Sequence, residues 1–238
     1  MSPELKHRIQ VVLAFAILVA ALRVAYVFYE RHNDKGVEAK KAEAPPLAAD
    51  YYVVPKKLYP YDLKSARQLT QQPVWVREGY RYTFYPYNQA THHADFDYEA
   101  GQLLPIERLE IKDVTTDVSP GSPDQKQVIA IFDRAGKSYA FPIGSVKEGN
   151  YQIYSDEMLF IQDPHELYKH WPQATWDAIE KHEVQSGMNE FQVAFAVGMG
   201  IPESQSDPAV KTVNYPNGGH PIQVTYRNGR AAEINPSN

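Results

Sequence analysis

The chain has 238 residues, a formal net charge of −5 and no cysteine. This acidic balance excludes a surface built to track nucleic-acid phosphates, which needs a basic stripe. The missing cysteines exclude an N-terminal lipid anchor, and they fit a reducing cytosol as well as a disulfide-free periplasmic protein.

Residues 11–29, VVLAFAILVAALRVAYVFY, form one apolar run at the start of the chain. A helix crosses a bilayer core with about 20 residues at ~1.5 Å each, so the run predicts a transmembrane anchor and a membrane as one partner. Tyr26, Phe28 and Tyr29 at its end suit a headgroup boundary, and Arg23 can snorkel outward along its aliphatic stem. Residues 1–10 are then a cytoplasmic tail. Lys6, Arg8 and the small triplet Val19-Ala20-Ala21 also fit a cleaved signal peptide. Apolar character resumes after Arg23, however, where a mature secreted chain turns polar. Arg31, Lys35, Lys40 and Lys41 follow the run, so the count of basic residues on its own opposes export of the rest.

Residues 30–50 are charged, bear Ala and Pro and lack an apolar face, as a linker does. Pro45-Pro46 would stop any short helix over Gly36 to Glu43. Residues 51–162 read as a β-rich domain. Val74 to Arg77 and Tyr80 to Tyr85 are two runs broken near Glu78-Gly79, and alternation sets Tyr80, Tyr82 and Phe84 on one face. In LLPIERLEIKDV, Ile106, Arg108 and Glu110 oppose Leu109 and Ile111. QVIAIFDRAGKSYAFPIG is a hairpin about Asp133-Arg134-Ala135-Gly136, and Tyr151 to Tyr154 is a further strand. DVTTDVSPGSPDQKQ reads as a polar, Pro/Gly-rich loop. Short strands with frequent turns predict a small, mostly antiparallel curled sheet or SH3-like barrel.

Residues 163–238 turn helical first. Asp163-Pro164-His165-Glu166 starts a helix, with Glu166 placed to complete a capping box. Pro172 starts a second through about His182, with Trp176 and Ile179 inward. A third over Asn189 to Val197 buries Phe191, Ala194, Phe195 and Val197, and Gly198 stops it. AVKTVNY, PIQVTYR and AAEI then make a three-stranded antiparallel meander turned by PNGGH and Asn228-Gly229, with Ile222, Val224 and Tyr226 facing the third helix. The predicted fold class is therefore α+β: an N-terminal transmembrane helix, the small β domain, then helices and the meander.

THHADFDYE over residues 91–99 is the segment with metal-ligand character. On a strand His93, Asp95 and Asp97 point the same way, and imidazole with carboxylates suits Zn, Mn or Fe. The same residues also make an ordinary polar face backed by Phe96 and Tyr98. Glu166 and His170, four apart on a helix, make a local pair. Trp75, Tyr80, Tyr82 and Phe84 form either a stacking platform for glycan or peptide, or the packed inner face of the sheet. No GxSxG elbow, P-loop or HExxH occurs and no cofactor is implied, which moves the reading toward a binding or scaffold role.

HEVQSGMNEFQVAFAVGMGIP, followed by KTVNYPNGGHPIQVTYRNGRAAEI, carries Val184, Gly187, Met188, Gln192, Val193, Gly198, Pro202, Tyr215, Val224, Tyr226 and Gly229. In these residues the C-terminal part resembles the small outer-membrane assembly lipoprotein family (SmpA/OmlA, BamE-like). The resemblance implies an α–β–β–β unit in which Ser186 or Gly187 caps the helix, Met188 enters the core and Gly198 releases the chain toward the sheet. It also implies an envelope protein that binds other proteins. On that basis the body is expected in the periplasm, held to the bacterial inner membrane by a single pass. That family is anchored through a lipidated Cys, which this chain lacks, and residues 51–162 have no counterpart in its short members. The expected function is an accessory, protein-binding subunit of a larger envelope assembly. The alternatives are a metal-dependent enzyme using His93, Asp95 and Asp97, or a glycan-binding module.

Overall fold

A computed structural model describes residues 3–34, 49–122, 124–204 and 210–236. The chain divides into two units, Met1–Ala48 and Ala49–Asn238. The first holds one helix, α1 (Pro3–Asp34). Among the described residues no helix is long and apolar enough to cross a membrane, which overturns the transmembrane anchor expected over residues 11–29. The described side chains of α1 lie between Ala14 and Glu30, with Arg23 among them. Val11, Val12, Leu13 and Ala16, counted in the predicted run, have side chains outside the described ones, as does the short helix expected over Gly36 to Glu43.

The second unit opens on a 3₁₀ turn, Ala49–Tyr52, and an extended segment. Helix α2 (Leu63–Ala66) follows, capped by Asp62, whose carboxylate accepts from Ser65 N at 2.7 Å. After a 3₁₀ turn, Arg67–Gln71, come β1 (Val74–Val76), β2 (Thr83–Asn88), β3 (His93–Ala94), β4 (Gly101–Gln102) and β5 (Arg108–Leu109). Three long strands form the spine: β6 (Ile111–Val118), β7 (Gln125–Arg134) and β8 (Lys137–Lys147). Next are β9 (Asn150–Ile153), α3 (Ser155–Met158), β10 (Leu159–Phe160), α4 (Pro164–Leu167), α5 (Gln173–Glu180) and α6 (Glu190–Val197). The described chain closes with β11 (Ile201–Pro202), β12 (Val210–Tyr215), β13 (Ile222–Arg227) and β14 (Arg230–Pro236).

Seven strands make one antiparallel half-barrel sheet in the order β3-β2-β8-β7-β6, with β4 on β2 and β9 on β8. Bulges between Ile111 and Asp113 and between Val128 and Ile129 bend its long strands. The turn pairs Ala135-Gly136, Glu148-Gly149 and Asn228-Gly229 all have positive φ at both positions, the geometry that matches the twist of tight hairpins. The expected loop DVTTDVSPGSPDQKQ is corrected at both ends. Strand β6 continues through Val118 and β7 begins at Gln125, because Val114, Thr115 and Thr116 are β-branched and Val114 and Asp117 are buried.

The small sheet β10-β1-β5 is the wall between two large hydrophobic cores, and a smaller third, of Ala94, Ile129, Ile131 and Ala140, lies on the other face of the long strands. Side chains alternate across a strand. Val74, Val76, Leu109 and Leu159 therefore face the first core, with Phe84, Phe132 and Phe141. Trp75 and Phe160, paired across β1 and β10, face the second, with Trp171, Trp176 and Phe195.

The predicted small β domain followed by a three-stranded module is thus replaced by a β-rich body with several sheets. The C-terminal meander has four strands, because Ile201 and Pro202 pair with Asn214 and Val213. Helix α6 is capped by Asn189, not by Ser186 or Gly187. Asn189 Oδ1 accepts from Gln192 N at 2.8 Å while Gln192 Oε1 accepts from Asn189 N at 3.0 Å. At α4 Asp163 is the cap, as expected, but it accepts from His165 N at 2.9 Å and forms no box with Glu166.

Candidate binding surface

The segment from Asp50 to Tyr61 is held down at intervals and shows large side chains between the holds. Asp50 is the first hold. Its Oδ1 accepts from Trp171 Nε1 at 2.6 Å and pairs with His170 Nε2 at 2.6 Å, while Oδ2 accepts from Asn189 Nδ2 at 2.9 Å. Burial alone would raise the Asp50 pKa. The bonds from Trp171, His170 and Asn189, with the charge of His170, outweigh it and leave the pKa below the ordinary value. Further along, Val53 packs on the second core and Leu58 on the first, and Pro60 is buried. Lys56 N donates to Gln162 Oε1 at 2.7 Å, and Lys57 Nζ lies 3.7 Å from Asp156. Pro55 and Pro60 bias the residues before them toward extended backbone. Between these holds Tyr52, Val54, Tyr59 and Tyr61 are 69, 85, 71 and 78% exposed.

A cleft of about 460 Å³ lies between the approach to β2, the β7–β8 ladder and α3. Glu78, Arg81, Tyr82, Gln127, Tyr154 and Glu157 are among its lining residues. Arg81 Nη1 sits 2.6 Å from Glu78 Oε2. Burial, helped by the Glu78 carboxylate, pushes the Tyr82 hydroxyl up to about 12. Gln127 Oε1 is buried without a hydrogen-bond partner among the described residues, an acceptor that a bound donor would satisfy.

The four aromatic residues expected to share a face do not. Phe84 is in the first core and Trp75 packs against the second. Tyr82 packs on the first core and also lines the cleft. Tyr80 is not in a strand at all: its φ is 60°, and its ring leans edge-on toward His182 with centroids 6.3 Å apart. The positive φ at Tyr80 ends the alternation, so the stacking platform is not assembled. Ile106 also has positive φ, at 56°, which breaks the alternation expected through residue 111.

His93, Asp95 and Asp97 are not gathered either. Strand β3 ends at Ala94, and Asp95 and Asp97 lie beyond it, exposed. His93 Nδ1 is instead 2.7 Å from Asp117 Oδ1. The Asp117 side chain is fully enclosed and also accepts from Ala94 N at 2.6 Å and Val118 N at 2.7 Å, so it pins β3 against β6. Among the described residues no three His, Cys, Asp or Glu side chains come together as a metal site. Asp117 lay inside the segment read as a loop. The signal that could have found it is the β-branched run Val-Thr-Thr just before it, which extends the strand to Asp117. Glu166 and His170 do not pair, since α4 stops at Leu167 and His170 turns to Asp50.

The residues of the C-terminal pattern have structural roles. Gly187, at φ 88°, donates its N–H to Ala231 O at 2.8 Å, and Met188 O accepts from Ala231 N at 2.8 Å, joining the approach to α6 to strand β14. Met188, Gln192 and Val193 are buried. Gly198, at φ 81°, ends α6 against Gly79, whose carbonyl oxygen a Cβ at Gly198 would meet at 2.6 Å. Pro202 lies exposed on edge strand β11, and Gly229 turns β13 into β14. Tyr215 and Tyr226 share a buried hydroxyl–hydroxyl bond of 2.6 Å. Comparison with protein-family models finds no match for this chain. Neither curated proteins nor solved structures match it.

Proposed function

We propose that the chain is an accessory, protein-binding subunit of a larger cell-envelope assembly, and that its body docks through the segment Tyr52–Tyr61. One observation carries this reading: a backbone fastened at Asp50, Lys56 and Pro60 leaves Tyr59 71% and Tyr61 78% exposed. Aromatic rings on a fixed backbone are the side chains that dominate protein interfaces, because they bury much area at little entropic cost. The cleft lined by Tyr82 and Tyr154 offers a second contact for a partner chain that brings a hydrogen-bond donor to Gln127. The envelope setting rests on the C-terminal resemblance.

The test is a comparison of partner recovery. The full chain, cross-linked gently in cells, is expected to bring down the same defined partner in repeated purifications. A Tyr59→Ser, Tyr61→Ser double variant is expected to lose most of it while keeping its unfolding midpoint. Equal recovery by the variant would remove the segment from the interface. Digestion of the body by trypsin added to spheroplasts tests the setting, and a body shielded by the intact inner membrane would contradict it.

A further inference from the structure

A separate depression of about 460 Å³ opens where β2 and β8 meet the loop leading into β4. Tyr87, Tyr98 and Tyr139 line it, with Lys137 and Ser138. These residues take no part in the docking segment or in the cleft. Tyr139 is held in place. It packs edge-on against Phe84 with centroids 5.1 Å apart and tilted against Phe132 at 5.9 Å. Ser138 Oγ is oriented too, accepting from Gln89 Nε2 at 2.6 Å and donating to Asp133 Oδ1 at 2.7 Å. Tyr98, in contrast, is 64% exposed. It is a large ring left uncovered at the lip of a concavity.

We infer that this depression is a saccharide-binding site that takes a short oligosaccharide. A pyranose has an apolar C–H face and a rim of hydroxyls. The Tyr98 and Tyr139 rings offer surfaces for the face, while their hydroxyls, Ser138 and Lys137 offer partners for the rim. An extended peptide fits less well, because it needs a free strand edge. Here β2 and β8 are already paired with each other at Tyr85–Ala140 and Pro86–Tyr139. The Lys137 ammonium at this site favours a sugar acid over a neutral sugar.

Calorimetric titration of the full chain with chitotetraose, cellotetraose and tetragalacturonate tests this. At least one probe is expected to bind saturably. Tyr98→Ala should weaken it about ten-fold or more, the loss of one stacking surface. Lys137→Met should weaken tetragalacturonate selectively. Tyr98 is exposed, so its variant is expected to keep the wild-type unfolding midpoint, which is checked alongside. The inference is overturned if none of the three probes binds at millimolar concentration, or if Tyr98→Ala binds as tightly as wild type.

Discussion

The two cores on either side of the β10-β1-β5 wall are held by different means. The first is a ladder. Its long strands β6, β7 and β8 pair over most of their length, and the side chains between them are aliphatic or phenyl. Its main charged element lies at the margin, where the Arg134 guanidinium rides 4.4 Å from the Phe84 ring and pairs with Glu107. The second core packs helices of four to eight residues, too short to stand alone, against the β12–β14 meander. Stacked rings and buried polar bonds hold it. Tyr168 lies on Trp171 with centroids 4.7 Å apart, Asp50 ties that region to the start of the unit, and Tyr215 bonds Tyr226. Backbone pairing therefore carries the first core and the meander under the second, while specific side chains fasten the second core's helices.

The sharpest way to break this picture is at the contact that joins the cores. Gly198→Ala combines a left-handed backbone with a Cβ driven into the Gly79 carbonyl, and it should cost ~2–4 kcal/mol by urea unfolding. Gly187→Ala, at φ 88° but with nothing within 4 Å, isolates the backbone part and should cost ~1 kcal/mol. Equal losses in the two variants would mean that the Gly79–Gly198 approach contributes nothing.

Asp50→Ala comes next, at about 2 kcal/mol, since it leaves the Trp171 indole N–H and the Asn189 amide without their acceptor. The sign with pH follows from the lowered Asp50 pKa. The contribution is fully present above the ordinary carboxyl value of 3.8 and is lost as pH falls through the folded-state value. Below that range the gap in thermal midpoint between wild type and Asp50→Ala should be narrower, and a constant gap down to strong acid would contradict the hydrogen-bond account.

Removing one hydroxyl of the buried pair, by Tyr226→Phe or Tyr215→Phe, strands the other and should cost ~1–2 kcal/mol. The double variant should cost less than the sum of the two, so a double-mutant cycle reads the coupling directly. The smallest effect belongs to the ladder. Ala135 sits at φ 50° in the β7–β8 turn, and Ala135→Asn should stabilise by ~0.5 kcal/mol, seen as a raised midpoint.

The same division explains what could be read from the sequence. Signals confined to a few neighbouring residues were legible: the hairpin around residue 135, the Asn228-Gly229 turn, helix α6 and its stop at Gly198. The remaining features depend on partners far along the chain. Asp50 ends what reads as a linker, yet its partners are 120, 121 and 139 positions away. Asp117, which engages the predicted ligand His93, is 24 positions off and lies in a run whose Asp, Pro and Gly content suggested a loop. Tyr80 obeyed a period-two pattern in sequence while its backbone had already turned left-handed, next to Gly79, which packs directly on Pro105. The apolar run at residues 11–29 failed for another reason: it is interrupted by Arg23, and among the described residues no helix is long and apolar enough to cross a membrane.

The central claim is that Tyr59 and Tyr61 are offered to another protein, and site-specific photo-cross-linking in cells tests it most directly. A photo-reactive phenylalanine analogue at position 59 or 61 should give one dominant adduct with a single protein, and the same analogue at Glu148, an exposed turn residue, should give none. No adduct from positions 59 and 61, or the same adducts from position 148, would contradict the account.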